Sequence, residues 1–404
     1  MNNIVVYEDG ALAISGGKIV AVGTTTDVMA ALSTKSMSEA SFEQVVEAQG
    51  KVILPGLVEA HTHAVYAGDR AHEFAMKLAG ATYMEVHKAG GGIGFTVAAT
   101  REATPEALHH DLMTRLDAMV AHGSTTIEVK SGYGLDAATE VKMLETVHKA
   151  SKTHPARLIP TYLAHSVPKG MTSAEAVNDV INVQLPAVLE AKAAGRLDVE
   201  IVDVFCEKGV FNHDETKVIL EAGAKAGLRI NFHGDELSNT ASAELGAELG
   251  ACGVSHLECV SDGGIKAMAM SGTVAVLLPS TAYILRIEQP PARKLIDSGV
   301  PVALASDYNP NVPCLSLPFI MHLGCVAMHM TLPEALTACT INAAAALGVS
   351  DKVGSLEVGK EGDFIVLDSP RWEHVVYQLA DVPLDSVYSG GKRVFKKTVD
   401  VGRK

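Results

Sequence analysis

Short apolar, β-branched segments recur along most of this chain and alternate with segments of helical periodicity. The apolar segments cover residues 52–63, 125–134, 157–166, 199–209, 229–236, 253–260, 273–281 and 300–310. The periodicity predicts helices over residues 103–123, 137–154, 214–227 and 290–299. Apolar strands that alternate with amphipathic helices are typical of an α/β protein with a parallel sheet. Eight such strands predict a (β/α)8 TIM-like barrel, with a doubly wound open sheet as the alternative.

The two ends of the chain have a different pattern. Residues 1–51 and 353–404 contain short alternating strands separated by Gly-Gly turns. We expect these ends to pair as one small composite β-sandwich domain beside a barrel formed by residues 52–352. Residues 90–95, GGGIGF, lack the following Lys and Ser or Thr of a phosphate-binding loop, and we predict a flexible loop that covers the substrate.

Composition excludes several classes of protein. The 404-residue chain has a formal net charge of -14 and no basic stripe, which argues against a nucleic-acid partner. No apolar stretch is long enough for a membrane span. The N-terminus lacks the succession of basic, apolar and small residues that a signal peptide has, so we expect a cytoplasmic protein with no membrane partner. The six cysteines form no CxxC pair and are expected to be reduced.

Ionisable side chains cluster where the predicted strands end. They are His61, His63, His165, His233, Glu236, His256 and Asp307. Each histidine taken alone is more simply explained as a structural residue, but the carboxyl ends of barrel strands meet at one rim. Three histidines and one aspartate are donors that Zn²⁺ and Fe²⁺ accept. We therefore predict one divalent metal, zinc or iron, held by His61, His63, His233 and Asp307.

The ionisable side chains at the strand ends also predict hydrolytic chemistry. A metal lowers the pKa of bound water toward neutrality, so that a nucleophile forms without a strong base. Glu236 can carry a proton from that water to a leaving nitrogen, and a solvated loop carboxylate is its alternative interpretation. His256 can orient the water or stabilise an oxyanion. The predicted catalytic residues are therefore Glu236, His256 and Asp307.

Several motifs resemble those of known proteins. The segments PGLVEAHTH, NFHGDE, SHLE and LASDYNP resemble the amidohydrolase superfamily over nearly the whole chain. Within it, HEFAMKLAGATYMEVHKAGGGI, EVKSGYGL, AHSVPKG and DVFCEKGVF are similar to the imidazolonepropionase family. The resemblance implies a TIM-like barrel, one zinc or iron ion, a homodimer, and hydrolysis of imidazolone propionate (4-imidazolone-5-propanoate) to N-formimidoyl-L-glutamate in histidine degradation.

The resemblance also implies which residues contact the substrate. They are Arg70, Tyr83, Tyr133, His165, Glu236 and Asn309, to which we add Asn311 and Val312. A bidentate pair between Arg70 and the propionate carboxylate is physically reasonable. Without the resemblance, Tyr83 and Tyr133 could equally be core aromatics.

Three alternatives remain open from the sequence. Lys130 could be a carbamylated ligand of a second metal, although it follows the second predicted strand rather than the fourth, and we favour a single metal. The chain could instead be an amidohydrolase deaminase of a nucleobase or amidine, which shares the metal ligands but does not need Arg70. It could also be an inactive scaffold that retains the fold.

Overall fold

The computed structural model describes residues 1, 4–80 and 91–398. The strands of this part are β1 Gly10–Ser15, β2 Lys18–Thr24, β3 Val52–Pro55, β4 Leu57–Glu59, β5 Ser124–Lys130, β6 Arg157–Ala164, β7 Ile201–Cys206, β8 Arg229–Gly234, β9 Gly253–His256, β10 Val274–Leu277, β11 Val302–Leu304, β12 Phe364–Leu367, β13 Leu384–Ser389 and β14 Lys392–Lys396. Strands β4 to β11 form one eight-stranded sheet in chain order, and every neighbouring pair is parallel. This confirms the predicted (β/α)8 architecture, because each of the eight apolar segments contains one barrel strand.

Helices fill the connections between the strands. The α-helices are Thr25–Thr34, Ala71–Leu78, Ile93–Glu102, Pro105–Ala121, Ala137–Ser151, Ser173–Asp179, Leu185–Ala193, His213–Lys225, Ser242–Leu249, Asp262–Ser271, Pro279–Leu285, Ala292–Asp297, Leu317–Met328, Leu332–Ala338, Ile341–Ala346 and His374–Tyr377. All four predicted helices are present. Their starts follow from local chemistry: the Thr104 hydroxyl accepts from the Ala107 N–H ahead of Pro105, and the Asp136 carboxylate accepts from the Thr139 N–H.

The barrel closes between its first and last strands. Beyond the ends of β4 and β11, Thr62 and Tyr308 form a parallel bridge, and the His63 N–H donates to the Tyr308 carbonyl at 2.8 Å. The Ser306 N–H donates to the buried Glu59 carboxylate at 3.0 Å. The two strands that carry HTH and Asp307 are therefore joined beside the predicted metal ligands.

Residues 52–63 were expected to form one strand, and this is wrong. Strand β3 pairs antiparallel with β12 in a small sheet, and only β4 belongs to the barrel. The chain changes sheet at Gly56, whose N–H donates to the Asp363 carbonyl at 3.0 Å. A Cβ atom at position 56 would lie 2.2 Å from the Thr125 hydroxyl oxygen, so the crossing requires glycine.

Small antiparallel sheets lie beside the barrel, as predicted. Hairpin β1–β2 comes from the N-terminal end, and β3, β12, β13 and β14 form the second sheet. The Gly362 N–H donates to the Gly17 carbonyl, and the Ile19 N–H to the Lys360 carbonyl, so the chain ends meet. The division at residues 51/52 and 352/353 stays a prediction.

A further expectation concerns the segment at residues 90–95. Ile93 begins a helix, so the predicted flexible loop is wrong from that residue onward, while residue 90 lies outside the described residues.

All six cysteines are free thiols, as expected from the sequence. In the part of the chain that the structure describes, no helix has the length and apolarity needed to cross a membrane.

Candidate metal centre and active site

The four predicted metal ligands converge at one end of the barrel. The Nε2 atoms of His61 and His63 lie 3.5 and 3.3 Å from Asp307 Oδ1. His233 Nε2 lies 3.3 Å from His63 Nε2. The four donors thus come from the ends of three strands, β4, β8 and β11, that are far apart in the chain.

Hydrogen bonds on the side away from the centre set the orientation of His61, His233 and Asp307. His61 Nδ1 lies 2.9 Å from Ser255 Oγ, and His233 Nδ1 donates to Asp203 Oδ1 at 2.9 Å. The Thr281 hydroxyl donates to Asp307 Oδ2 at 2.5 Å. Each partner leaves one atom of its ligand directed to the centre, which is the arrangement that metal-binding histidines and carboxylates require.

The donor atoms fit a divalent cation. His61 Nε2 and Asp307 Oδ1 are buried and, among the described residues, have no hydrogen-bond partner. Donor atoms of His61, His63 and Asp307 all lie within 4.8 Å of one another, and so do those of His61, His233 and His256. An unpaired buried carboxylate oxygen is costly, and a metal ion would satisfy it. His256 is thus a further histidine within reach of the same centre.

Protonation states favour metal binding. Burial lowers the pKa of His61 well below its ordinary value and that of His233 to about 4, so both rings are neutral and can donate a lone pair. Burial alone raises the pKa of Asp307, but the adjacent His61 and His63 hold it well below its usual range. At neutral pH the centre therefore presents two neutral imidazoles, those of His61 and His233, and one charged carboxylate.

A pocket of about 160 Å³ opens beside this centre. The predicted site residues that line it are His63, Arg70, Tyr133, His165, His233, Glu236, His256, Asp307, Asn309, Asn311 and Val312. Phe205, Thr281 and Leu285 also line it and were not predicted, and so does Ile93, which belongs to the segment 90–95 that was expected to cover the substrate. Tyr83 lies outside the described residues.

Arg70 is held in the pocket by a buried carboxylate. Its Nε and Nη2 atoms donate to the two oxygens of Glu73 at 2.8 and 2.7 Å. Glu73 also accepts from the Gly92 N–H, which fixes the start of the helix that brings Ile93 to the pocket. The guanidinium edge formed by Nε and Nη2 is fixed in this way, which orients the remaining Nη1 group.

Glu236 and His256 form an acid–base pair above the metal ligands. His256 Nε2 lies 3.6 Å from Glu236 Oε2, and its Nδ1 lies 3.6 Å from Glu258 Oε1. Burial raises the pKa of Glu236 to about 7, a value suited to proton transfer. Burial alone lowers the pKa of His256, but Glu236 and Glu258 raise it to about 10, so the ring is cationic.

The backbone is strained at two of these residues. His256 and Asp307 have φ values of 79° and 48°, in the left-handed region that non-glycine residues rarely adopt. Such strain persists where the surrounding structure fixes the chain, and it concentrates at functional sites. His256 is the last residue of β9 and Asp307 lies three residues beyond the end of β11, and both side chains line the pocket.

The other predicted substrate-contacting residues differ in the hydrogen bonds that they make within the protein. His165 Nδ1 lies 3.2 Å from the Gly132 carbonyl and therefore carries the hydrogen, which leaves Nε2 as an acceptor. Burial lowers the pKa of His165 well below its usual value and keeps the ring neutral. The Asn309 side chain donates to the Asp307 carbonyl and accepts from the Asn311 and Val312 N–H groups. Asn309 thus shapes the turn that carries Asn311 and Val312.

Sequence reasoning missed the residues that support the ligands. Ser255, Asp203 and Thr281 contact a predicted ligand, and Glu73 contacts Arg70. Ser255 lies near the end of β9 and Thr281 lies beyond the end of β10, and this position was the available signal, whereas Asp203 lies inside β7 and gave none. Glu73 lies in a helix three residues after Arg70, and that spacing is the only clue it offers.

Comparisons with known proteins agree with this geometry. The Amidohydrolase family profile matches residues 52–394. A Homo sapiens relative named probable imidazolonepropionase is 53% identical over 400 residues, which cover 98% of this chain and 93% of the relative. A Danio rerio relative of the same name is 56% identical over 380 residues, which cover 94% of this chain and 87% of the relative. The chain belongs to the imidazolonepropionase family of amidohydrolases.

Solved structures of more distant proteins share the fold of this imidazolonepropionase family member. A zinc-bound adenosine deaminase from Xanthomonas campestris superposes with a TM-score of 0.71 at 20% identity, covering 96% of this chain and 89% of that one. A 5-methylcytosine deaminase from Klebsiella pneumoniae, liganded with phosphonocytosine, superposes with a TM-score of 0.72 at 16% identity, covering 98% of this chain and 97% of that one. At these identities the likeness concerns the fold alone.

Proposed function

We propose that this chain is a metal-dependent hydrolase that opens the cyclic amide of 4-imidazolone-5-propanoate to give N-formimidoyl-L-glutamate. The observation that carries the proposal is the presence of Arg70, oriented by Glu73, in the same pocket as the His and Asp donors. In the reaction, water adds to the ring carbonyl carbon, the bond from that carbon to the ring nitrogen breaks, and the nitrogen takes up a proton. The names of the relatives support this substrate.

The metal would be held by His61, His63, His233 and Asp307, one ion per chain, and we propose zinc or iron because this donor set suits both. A divalent ion at this place supplies Lewis acidity and lowers the pKa of water. The protein contributes neutral imidazoles, whose protonation is suppressed by burial, and a carboxylate that remains charged.

Proton transfer is assigned to Glu236. Its raised pKa of about 7 lets it take a proton from the attacking water and return it to the departing ring nitrogen. The cationic His256 ring, held between Glu236 and Glu258, can donate a hydrogen bond to the oxyanion that develops on the carbonyl oxygen.

Substrate orientation is assigned to the outer part of the pocket. Arg70 Nη1 donates to the propionate carboxylate. His165 accepts an N–H of the ring through Nε2, since its Nδ1 is engaged with Gly132. Tyr133, whose ring lies 5.2 Å from that of His165, covers the face of the substrate ring.

An assay of the purified protein tests this function. On freshly generated imidazolone propionate we expect loss of the ring chromophore together with formation of an N-formimidoyl product. Release of ammonia from cytosine or guanine, with no ring opening of imidazolone propionate, would establish the deaminase alternative. Absence of both activities from protein that contains the metal would support the inactive scaffold.

The assembly is a proposal that rests on the sequence resemblance, and the location and domain division are proposals that rest on the sequence pattern. We propose a homodimer in the cytoplasm that acts in histidine degradation, with residues 1–51 and 353–404 as a composite β-domain and residues 52–352 as the barrel. Sedimentation equilibrium of the purified chain tests the dimer, since a monomer at micromolar concentration contradicts it.

A further inference from the structure

Three charged side chains lie shielded from solvent next to the predicted metal ligands. Glu128 and Lys130 belong to β5 and Asp203 to β7, and each is at most 1% exposed. Lys130 Nζ lies 2.6 Å from Glu128 Oε1 and 2.7 Å from Asp203 Oδ2. A barrel strand normally directs branched apolar residues to such positions, so the three charges require an explanation.

This charged group contacts the metal ligands at both of its ends. Asp203 Oδ1 accepts from the Nδ1 and the backbone N–H of His233, at 2.9 and 3.2 Å. Glu128 Oε2 accepts from the Thr62 N–H at 3.1 Å, and the Thr62 hydroxyl donates to the Glu128 carbonyl at 2.6 Å. Thr62 is the residue between His61 and His63. A single chain of contacts therefore runs from the HTH segment through Lys130 to His233.

Lys130 is the only member of this group that carries a positive charge, and both carboxylates depend on it. Removing a cation from a buried ion pair leaves uncompensated negative charge in a low-dielectric environment. Each carboxylate uses one oxygen for Lys130 and the other for a group that belongs to, or flanks, a metal ligand. Displacement of the ammonium would therefore shift both sides of the ligand set at once.

We propose that Lys130 is a positioning residue of the metal centre. Its ammonium fixes Glu128 and Asp203, so that Asp203 keeps His233 Nδ1 as a hydrogen-bond donor and leaves the lone pair of His233 Nε2 to bind a metal. The same geometry argues against Lys130 as a carbamylated ligand, because carbamylation requires a free neutral amine and this ammonium is engaged with two carboxylates. The inference rests on the proposed metal site and not on the identity of the substrate.

Metal retention by the holoenzyme tests the proposal. In Lys130→Met the side chain keeps its length and loses its charge, and we expect Zn²⁺ or Co²⁺ affinity about 10- to 100-fold weaker, as is usual when a group that orients a ligand is lost. Release of Zn²⁺ to a chromogenic chelator gives the rate, and the Co²⁺ absorption spectrum reports the ligand geometry. Added metal should restore kcat with no change in KM.

The control is Lys142→Met, since the Lys142 ammonium is partly buried and hydrogen-bonded. It donates to the carbonyls of Thr100, Arg101 and Ala103, away from the metal donors. We expect wild-type metal release and an unchanged Co²⁺ spectrum. Equal weakening in both variants would attribute the effect to general destabilisation and overturn the proposal.

A second variant covers the case in which Lys130→Met does not fold. The double change Glu128→Gln with Lys130→Met preserves the net charge of the group, since one negative and one positive charge are removed together. We again expect weakened metal binding. Wild-type affinity in this double variant would overturn the role of Lys130, whereas a wild-type protein that binds no metal at all would overturn the proposed function instead.

Discussion

Arg70 illustrates how a single residue decides between substrate classes. Its guanidinium lies in the pocket and is paired on one side with the buried Glu73. A neutral nucleobase gains nothing from a cation in this position, whereas a propionate carboxylate gains a charge-assisted hydrogen bond. The identity of the substrate therefore depends more on Arg70 than on the metal donors, which both candidate reactions share.

Replacement of Arg70 should change binding more than chemistry. For Arg70→Ala we expect KM to rise by about 10-fold or more with kcat largely retained, because the carboxylate is bound equally in the ground and transition states. Steady-state kinetics on imidazolone propionate measure this. Arg101→Ala is the control, since Arg101 pairs with Asp136 near the surface. An unchanged KM in Arg70→Ala would remove Arg70 from the substrate site.

Glu236 should set the acid limb of the pH profile. Its carboxylate acts in the deprotonated form and its pKa is about 7, so kcat/KM should rise as pH increases through 7 and then level off. Glu236→Gln should lower kcat by about 10²- to 10⁴-fold and abolish this limb. A pH–rate profile of both proteins gives the answer. Persistence of the limb in the variant would assign it to another group.

The sequence could indicate the ligands but not the residues that orient them. His61, His63 and Asp307 stand out because polar residues are rare at the ends of apolar segments. Lys130 and Asp203 lie within such segments, and nothing local indicates that strands β5 and β7 bring their side chains to 2.7 Å. Pairings between distant strands depend on the barrel geometry, which a strand pattern does not specify.

At the scale of secondary structure, strand positions were more predictable than sheet membership. Eight apolar segments correspond to eight barrel strands, because buried parallel strands are continuously apolar. The same pattern could not show that β3 leaves the barrel, since both sheets bury similar residues and the break at Gly56 arises from contact with Thr125. The helix at Ile93 was missed because three glycines precede it.

The helix Leu332–Ala338 offers a test of an element held by one carboxylate. Glu334 accepts from the Thr331 N–H at 2.8 Å and from Arg293 at 2.9 and 3.0 Å. Burial alone raises the pKa of Glu334, but Arg293 and Thr331 lower it to about 2. For Glu334→Gln we expect a loss of about 1–2 kcal/mol in the free energy of unfolding at pH 7.

The sign of the pH dependence follows from the lowered pKa. The contribution of Glu334 is present above the unfolded pKa of about 4.3 and is lost as pH falls toward the folded value of about 2. Denaturant unfolding of wild type and Glu334→Gln should therefore differ most above pH 5 and converge as pH falls to about 2. Glu373→Gln, at a surface pair with Arg371, is the control and should have little effect at any pH.

For the whole molecule, the metal should act as a cross-link between distant parts of the barrel. The proposed ion would hold together ligands at the ends of β4, β8 and β11, and the unfolded chain would not bind it in the same way. Bound ligand stabilises by about 2.7 kcal/mol at a concentration 100 times its Kd. Chelation should therefore lower Tm by several degrees and abolish turnover.

Differential scanning calorimetry at a fixed scan rate, with metal content measured alongside, checks the effect of chelation. Restoration of both Tm and activity by added Zn²⁺ or Fe²⁺ is the expected control. A Tm that is identical in metal-loaded and chelated protein would contradict a metal that bridges these strands.

The closure of the barrel by the Thr62–Tyr308 bridge has a consequence for biosynthesis. The ribosome makes His61 and His63 early and Asp307 late, and at about 5–20 residues per second the interval is roughly 10 to 50 seconds. Throughout that time the nascent chain carries an incomplete ligand set on an open sheet. The full site first exists when the last barrel strand docks, so the proposed ion would meet its complete ligand set only at that step.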